Sequence, residues 1–200
     1  MVAIVVTVGD VFFQHLGRKV THQERELEFH ASMKLLGAQG QVMFMTKDRY
    51  LDTVPTAEVV TRLEEQIKWF QPTQILIPLP SSHQDHEAVY KACVAACRPS
   101  SLTRSVQLIA AYEYAASGWG SGSSADAGRG GMYVEIGEEG LEAKIAALRC
   151  YKTQIRDDNH CWSIESARAR AKMHGLESGL GYAELFYIMR QLVRTQGGTW

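Results

Sequence analysis

The chain has 200 residues, a length that allows one domain or two small ones. Hydrophobic residues make up 46% and charged residues 22%, as in an ordinary globular protein. The net charge of −1 argues against a nucleic-acid-binding protein and against a polybasic membrane-surface protein. Four cysteines without a C-x-x-C pair favour a reducing, cytoplasmic setting, and no apolar run approaches the roughly 20 residues that span a bilayer.

The first half of the chain alternates short apolar runs with helical patterns. The runs predict strands over residues 2–8, 41–45, 74–78 and 106–114, and the helical patterns cover 21–36, 55–70 and 87–97. Strands this apolar are typical of a parallel sheet that helices cover on both faces. The sequence therefore predicts an α/β fold.

The second half is less regular. Residues 117–131 are rich in glycine and serine and predict a flexible loop, which at this length is typically a functional lid or a disordered connection. Beyond it we expect a strand over 132–136 and helices over 141–153, 163–173 and 183–193. No internal repeat interrupts this pattern, so we expect a single domain over residues 1–200.

Two imidazoles and a carboxylate lie within four residues, between the third strand and the helix after it: His83, Asp85 and His86. Ligands of open α/β sheets bind beyond the carboxyl ends of the strands, where this loop would lie. Histidine suits zinc, and a nearby Asp can orient an imidazole. The alternative is a helix start capped by Ser82, with Asp85 three residues on and the histidines in solvent. The spacing alone leaves both interpretations open.

Three other features of the sequence give weaker signals. Arg25 and Glu28 share a face of the first helix, which is typical of an exposed ion pair worth under ~0.5 kcal/mol. Asp48 follows a strand end, where it is either a turn residue or an acceptor for sugar hydroxyls. The remaining histidines show no ligand spacing and are predicted to be structural or on the surface: His15, His22, His30, His160 and His174.

Taken in order, these segments resemble the LmbE-like, or PIG-L, family of zinc-dependent N-acetylglucosaminyl deacetylases. Val5 to Asp10 is similar to the family's second strand and its T-x-G-[DE] turn, and Arg25-x-x-Glu28 is similar to its R-x-x-E helix. Asp48 falls where the family has an Asp after its third strand, and His83-Gln84-Asp85-His86 is similar to its H-x-D-H motif. Tyr151-Lys152-Thr153-Gln154 is similar to the family's Y-x-[ST]-Q motif, and residues 182–186 to its closing A-E-x-F segment. The resemblance implies a Rossmann-like three-layer sandwich with a mostly parallel sheet.

The resemblance also implies roles for individual residues. His86 would be a zinc ligand, and His83, held cationic by Asp85, would donate to the oxyanion or protonate the leaving amine. Arg25 and Asp48 would bind sugar hydroxyls. The implied reaction removes an acetyl group from an N-acetylated amino sugar or sugar conjugate, with zinc polarising the carbonyl and lowering the pKa of its bound water. Family members often form trimers or hexamers, so the resemblance also implies a homo-oligomer.

The sequence departs from the family in one respect, because the H-P-D-D-E motif that supplies the other zinc ligands and the general base is absent. One histidine is too few for a catalytic zinc, which typically has three protein ligands. We expect, in this order, a longer natural chain, a second polypeptide that completes the site, or an inactive member that binds a sugar or a partner. Asp10 and His15 are candidate replacement ligands.

The missing segment has consequences for the fold and for the function. In the family it forms a strand in the middle of the sheet, so its absence would leave two strand edges unpaired. A metal-dependent hydratase of the same family is a further alternative to the deacetylase, because a shared fold does not fix the reaction.

Overall fold

A computed structural model describes residues 1–45, 50–81, 83–115 and 131–193 of the chain. The chain divides into two compact units, one comprising residues 1–54 and 133–184 and the other comprising residues 55–132 and 185–200. The single domain over residues 1–200 stays a prediction. The mixed α/β fold class is confirmed, with helices and strands alternating as the sequence predicts. No helix in the described ranges is long and apolar enough to cross a membrane.

The first unit begins with a parallel strand pair. Strand β1 (Val2–Val8) lies alongside β4 (Gln39–Met45), with Val2 opposite Gln39 and Val8 opposite Met45. Both strands agree with the predicted apolar runs, since a parallel pair with a helical crossover favours continuous apolar sequence.

A short antiparallel hairpin follows β1 and was not predicted. It consists of β2 (Val11–Phe13) and β3 (Arg18–Val20), and Gly17 in its turn has φ +61°, a conformation that glycine adopts without strain. Each strand has only three residues, which is too few for an alternating pattern to stand out in the sequence.

Helix α1 (His22–Leu35) then leads into β4, close to its predicted bounds. Thr21 caps its N-terminus by accepting a hydrogen bond from the Glu24 backbone N–H. Gly37, just beyond its C-terminus, has φ +63°, as expected for a glycine that ends a helix.

The later part of the first unit is helical. Helix α4 (Gly137–Leu148) follows β7 (Gly131–Glu135), and α5 (Ile164–Ser178) starts after Ser163, whose hydroxyl accepts from the Ser166 N–H. Leu141, Ile145 and Ala171 form the buried centre where α4 and α5 pack together. Helix α4 starts four residues before and ends five residues before its predicted bounds, while α5 extends five residues further than predicted.

The second unit contains another parallel pair with two helices. Strand β5 (Gln74–Pro78) lies alongside β6 (Leu108–Tyr112), and α2 (Thr56–Phe70) packs against α3 (Gln84–Ala96). The helices bury one apolar face each, made of Val59, Leu63 and Ile67 on α2 and Val89, Ala92, Cys93 and Ala96 on α3. Gln71, in the left-handed conformation, ends α2 just before Pro72.

The helix predicted over 183–193 is wrong, because this segment forms strand β8 (Ala183–Gln191). From Leu185 onward β8 lies in the second unit and runs antiparallel to β6, with Phe186 opposite Tyr112 and Gln191 opposite Leu108. Its centre, Leu185-Phe186-Tyr187-Ile188, is rich in residues that favour strands. A continuous apolar run fits a buried strand as well as a buried helix, and here β6 provides the partner.

Among the described strands β1, β4 and β5 each have a single partner, so the two unpaired edges expected from the missing motif stay a prediction. Among the described residues β1 pairs with β4 alone, and β5 pairs with β6 alone. Each therefore has one edge that no other described strand occupies.

Candidate functional site

The loop after β5 enters α3 earlier than predicted. The helix begins at Gln84, and His83 is its N-cap residue, since its Nδ1 accepts a hydrogen bond from the Asp85 backbone N–H at 3.2 Å. The alternative interpretation of the sequence placed the cap at Ser82, which lies outside the described residues. Because α3 starts three residues before its predicted start, His86 lies in its first turn rather than in the preceding loop.

The structure brings the three predicted catalytic and metal-binding residues of this loop together. The rings of His83 and His86 are 5.0 Å apart between centroids, and Asp85 lies between them in sequence in the first turn of α3. A carboxylate at this position is favoured by the partial positive charge of a helix N-terminus. His83 is exposed, whereas Asp85 and His86 are half-buried.

His86 is held at its Nδ1 atom by two hydroxyl groups. Nδ1 lies 2.9 Å from Oγ of Ser81 and 2.9 Å from the hydroxyl of Tyr114. The Tyr114 ring also stands edge-on to the imidazole, with centroids 4.7 Å apart. These contacts engage Nδ1 and fix the orientation of the ring. Nε2 is the ring nitrogen that the two hydroxyls do not contact.

The surroundings favour a neutral His86. Burial lowers the pKa of His86, and the neighbouring His83 lowers it further, while Asp85 acts in the opposite direction. His86 is therefore mostly uncharged at neutral pH, which is the form that can donate a lone pair.

Tyr114 is a site residue that sequence reasoning missed. It follows β6, and the Leu79 N–H donates to the Tyr112 carbonyl, so the chain beyond β5 continues alongside the chain beyond β6. Burial raises the pKa of Tyr114, and a hydrogen bond with Ser81 acts against this effect. The sequence did contain a signal, because neighbouring parallel strands place their carboxyl ends at the same edge of the sheet.

The cap at His83 engages one nitrogen of its ring. Nδ1 accepts the Asp85 backbone N–H, so Nε2 is the ring nitrogen that can donate an N–H to a ligand. The ring itself is exposed. The cationic His83 held by Asp85 that the resemblance implies stays a prediction.

The exposed ion pair predicted for Arg25 and Glu28 in the first unit is wrong. The Arg25 guanidinium donates to the Gly9 carbonyl at 2.8 Å. Glu28 is only 9% exposed and accepts two hydrogen bonds from Thr153, at 2.8 Å from its backbone N–H and at 2.6 Å from its hydroxyl. The R-x-x-E segment and the Y-x-[ST]-Q segment therefore meet through this carboxylate.

Asp10, a candidate replacement ligand, is engaged elsewhere. Its carboxylate accepts the His22 backbone N–H and contacts the His22 imidazole, both at 2.8 Å, and it pairs with Lys19 at 3.1 Å. These groups hold the pKa of the Asp10 carboxyl well below its usual range. The ring of His15, the other candidate, packs edge-on to Phe13. Asp48 and residues 117–130 lie outside the described residues.

The zinc that the resemblance implies needs a set of protein donors. Within residues 1–45, 50–81, 83–115 and 131–193, no group of three or more His, Cys, Asp or Glu side chains is placed to hold a metal ion. A catalytic zinc typically needs three protein ligands. The described residues therefore do not fit a zinc centre by themselves, and His86 is a single candidate donor.

Comparison with known proteins identifies the family of the first half of the chain. Residues 1–97 match the family model of PIG-L, described as GlcNAc-PI de-N-acetylase. The matched region contains the Arg25 and Glu28 pair and the whole H-x-D-H segment. The resemblance stated from the motifs is thereby confirmed.

Solved structures share the fold over a larger part of the chain. The A40926 pseudoaglycone deacetylase Dbv21 is 18% identical with a TM-score of 0.70, covering 96% of this chain and 86% of its own. N,N'-diacetylchitobiose deacetylase from Pyrococcus horikoshii is 21% identical with a TM-score of 0.61, covering 84% and 64%. GalB, the 4-carboxy-2-hydroxymuconate hydratase from Pseudomonas putida KT2440, is 17% identical with a TM-score of 0.65, covering 88% and 75%. At these identities the likeness establishes the fold.

Proposed function

We propose, from the membership of residues 1–97 in the PIG-L (LmbE-like) family, that this chain is a hydrolase that removes an acetyl group from an N-acetylated amino sugar or sugar conjugate. The observation that carries the proposal is the pairing of His83 and His86 at the start of α3, directly beyond β5. Two of the solved structures with this fold are named as deacetylases, which supports the same reaction class.

The residues of this loop have distinct tasks in the proposed reaction. The Nε2–H of His83 donates a hydrogen bond to the acetamide carbonyl oxygen as negative charge develops on it. In the cationic form that the resemblance implies, His83 would instead give a proton to the departing amine and become neutral. Asp85 adds negative charge beside His83. His86 presents its Nε2 lone pair, since Nδ1 is occupied. Arg25 and Asp48 are proposed to bind the sugar hydroxyls.

Zinc is the cofactor proposed for this reaction, with His86 as one ligand. The other ligands would have to come from outside the described residues, because those residues hold no group of three. Bound zinc would supply Lewis acidity toward the carbonyl oxygen. The substrate in this proposal is a small amino-sugar molecule, and a trimer or hexamer stays a prediction.

The proposal is tested by amine release from N-acetylglucosamine conjugates, measured with an amine-reactive dye, with added zinc and after chelation. We expect His83→Ala to lower kcat by about 10²- to 10³-fold. His86→Ala should abolish both zinc uptake, measured by metal analysis, and amine release. The matched control is His30→Ala, on the exposed face of α1. No amine release from any conjugate at saturating zinc would contradict the proposal.

A sugar-binding module without catalysis is the second candidate, because the described residues lack a three-ligand metal cluster. It predicts that a sugar raises the melting temperature of the chain equally with and without chelator. The hydrolase predicts that the chelator reduces this shift.

A hydratase is the third candidate, and the likeness to GalB is the observation that favours it. It predicts loss of the ultraviolet absorbance of an unsaturated dicarboxylic acid on incubation with the chain, without release of any amine. The hydrolase predicts the reverse pattern.

A further inference from the structure

Three polar groups beyond β5 and β6 form a triangle. Nδ1 of His86 lies 2.9 Å from the Ser81 hydroxyl oxygen and 2.9 Å from the Tyr114 hydroxyl oxygen. Ser81 Oγ also accepts the His83 backbone N–H at 3.1 Å. All these groups are in the second unit, and the three that form the triangle are half-buried.

The two hydroxyl contacts of Nδ1 decide which tautomer of His86 satisfies this triangle. A bare Nδ1 has one lone pair, which accepts one hydroxyl proton, so the second hydroxyl at 2.9 Å is left without a matching partner. A protonated Nδ1 shares its N–H between the two hydroxyl oxygens, and each oxygen has a lone pair to accept it. The Nδ1–H tautomer is therefore the neutral form in which both contacts are hydrogen bonds.

We infer that Ser81 and Tyr114 are positioning residues that hold His86 as the Nδ1–H tautomer and leave Nε2 as the ring atom that acts. The edge-on packing of the Tyr114 ring adds a constraint on the imidazole plane. The role of Nε2 in a reaction rests on the proposed function, whereas the tautomer itself does not.

The tautomer is measured by long-range ¹H–¹⁵N correlation spectra of the ¹⁵N-labelled chain at pH 8, with the His86 signals assigned by their loss in His86→Gln. We expect a protonated Nδ1 and a bare Nε2 in the unaltered chain. The double variant Ser81→Ala with Tyr114→Phe should shift His86 toward the Nε2–H tautomer that exposed histidines prefer. Tyr112→Phe, which removes a phenolic hydroxyl two residues from Tyr114, should leave the spectrum unchanged.

A His86 with its proton on Nε2 in the unaltered chain would overturn the inference. So would a tautomer that neither Ser81→Ala nor Tyr114→Phe changes, in variants whose circular dichroism shows the native fold. Using both single variants keeps the test valid if one of them fails to fold.

Kinetics separate this inference from the proposed function. In amine release, Tyr114→Phe should lower kcat by about 10- to 100-fold, the usual effect of losing an orienting partner, with KM unchanged. An unaltered chain that releases no amine but has the Nδ1–H tautomer would refute the proposed function and leave the inference standing. Normal kcat in Tyr114→Phe would refute the positioning role alone.

Discussion

At the scale of single residues, the buried carboxylate of Glu28 is the clearest structural contact. It receives both the backbone N–H and the hydroxyl of Thr153. Replacing Thr153 by Val keeps the side-chain shape but leaves a buried carboxylate oxygen without its partner. We expect a loss of about 1–3 kcal/mol in the free energy of unfolding, measured by urea denaturation. Thr61→Val, at an exposed position of α2, is the control and should change stability by under ~0.5 kcal/mol.

Asp10 should make stability depend on pH in the acid range. Hydrogen bonds from His22 and the ion pair with Lys19 hold the pKa of its carboxyl below the ordinary value of 3.8. A group with a depressed folded pKa contributes its full stability above its unfolded pKa and loses that contribution as the pH falls below it. Asp10→Asn should therefore flatten the fall in melting temperature below pH 4. Asp52→Asn, at an exposed position, should follow the unaltered chain, and an equally steep fall in Asp10→Asn would contradict this assignment.

The site residues differ in how far the sequence could predict them. His83, Asp85 and His86 are neighbours in the chain, so any helix start there brings them together. Tyr114 lies 28 residues beyond His86, and only the parallel pairing of β5 with β6 brings it to the imidazole. The interpretation of Glu28 failed for the same reason, since its partner Thr153 is 125 residues away. Contacts between residues so far apart in the chain depend on strand order and helix packing. The hydrophobic periodicity of the sequence gives no information about either.

At the scale of secondary-structure elements, Gly175 in α5 shows how a close contact opposes helix propensity. Replacing glycine by alanine inside a helix ordinarily stabilises it by about 0.5–1 kcal/mol. At Gly175 the added Cβ would lie 2.5 Å from the Gly181 carbonyl oxygen, which is a backbone atom that cannot rotate away. We expect Gly175→Ala to destabilise the chain by about 1–3 kcal/mol in urea denaturation. Gly181→Ala, where a Cβ meets nothing within 4 Å, should be close to neutral.

The secondary-structure elements also show which features the local sequence predicts and which it does not. The parallel strands and the helices that join them were predicted within a few residues, because each is long and has a clear apolar pattern. Strand β8 was predicted as a helix because an unbroken apolar run has no period that distinguishes the two. Its antiparallel pairing with β6 is a tertiary interaction, and this pairing favours the strand over the helix.

At the scale of the whole molecule, the missing H-P-D-D-E motif predicts two unpaired strand edges and an incomplete set of metal ligands, and both stay predictions. Among the described strands β1 and β5 each have one partner, but so does β4. Within the described ranges no group of three metal-binding side chains occurs. One motif predicts both consequences, because the resemblance implies that a single segment supplies a strand and the ligands at its end.

The incomplete donor set leads to a prediction about folding. A structural metal held by several ligands contributes directly to folding free energy, so its removal lowers the melting temperature. Because the proposed zinc would be held by His86 together with ligands outside the described residues, we expect a chelator to lower the melting temperature of the zinc-treated chain. Differential scanning calorimetry with and without chelator measures this, and in His86→Ala the two curves should coincide. Coincident curves in the unaltered chain as well would contradict a zinc site at His86.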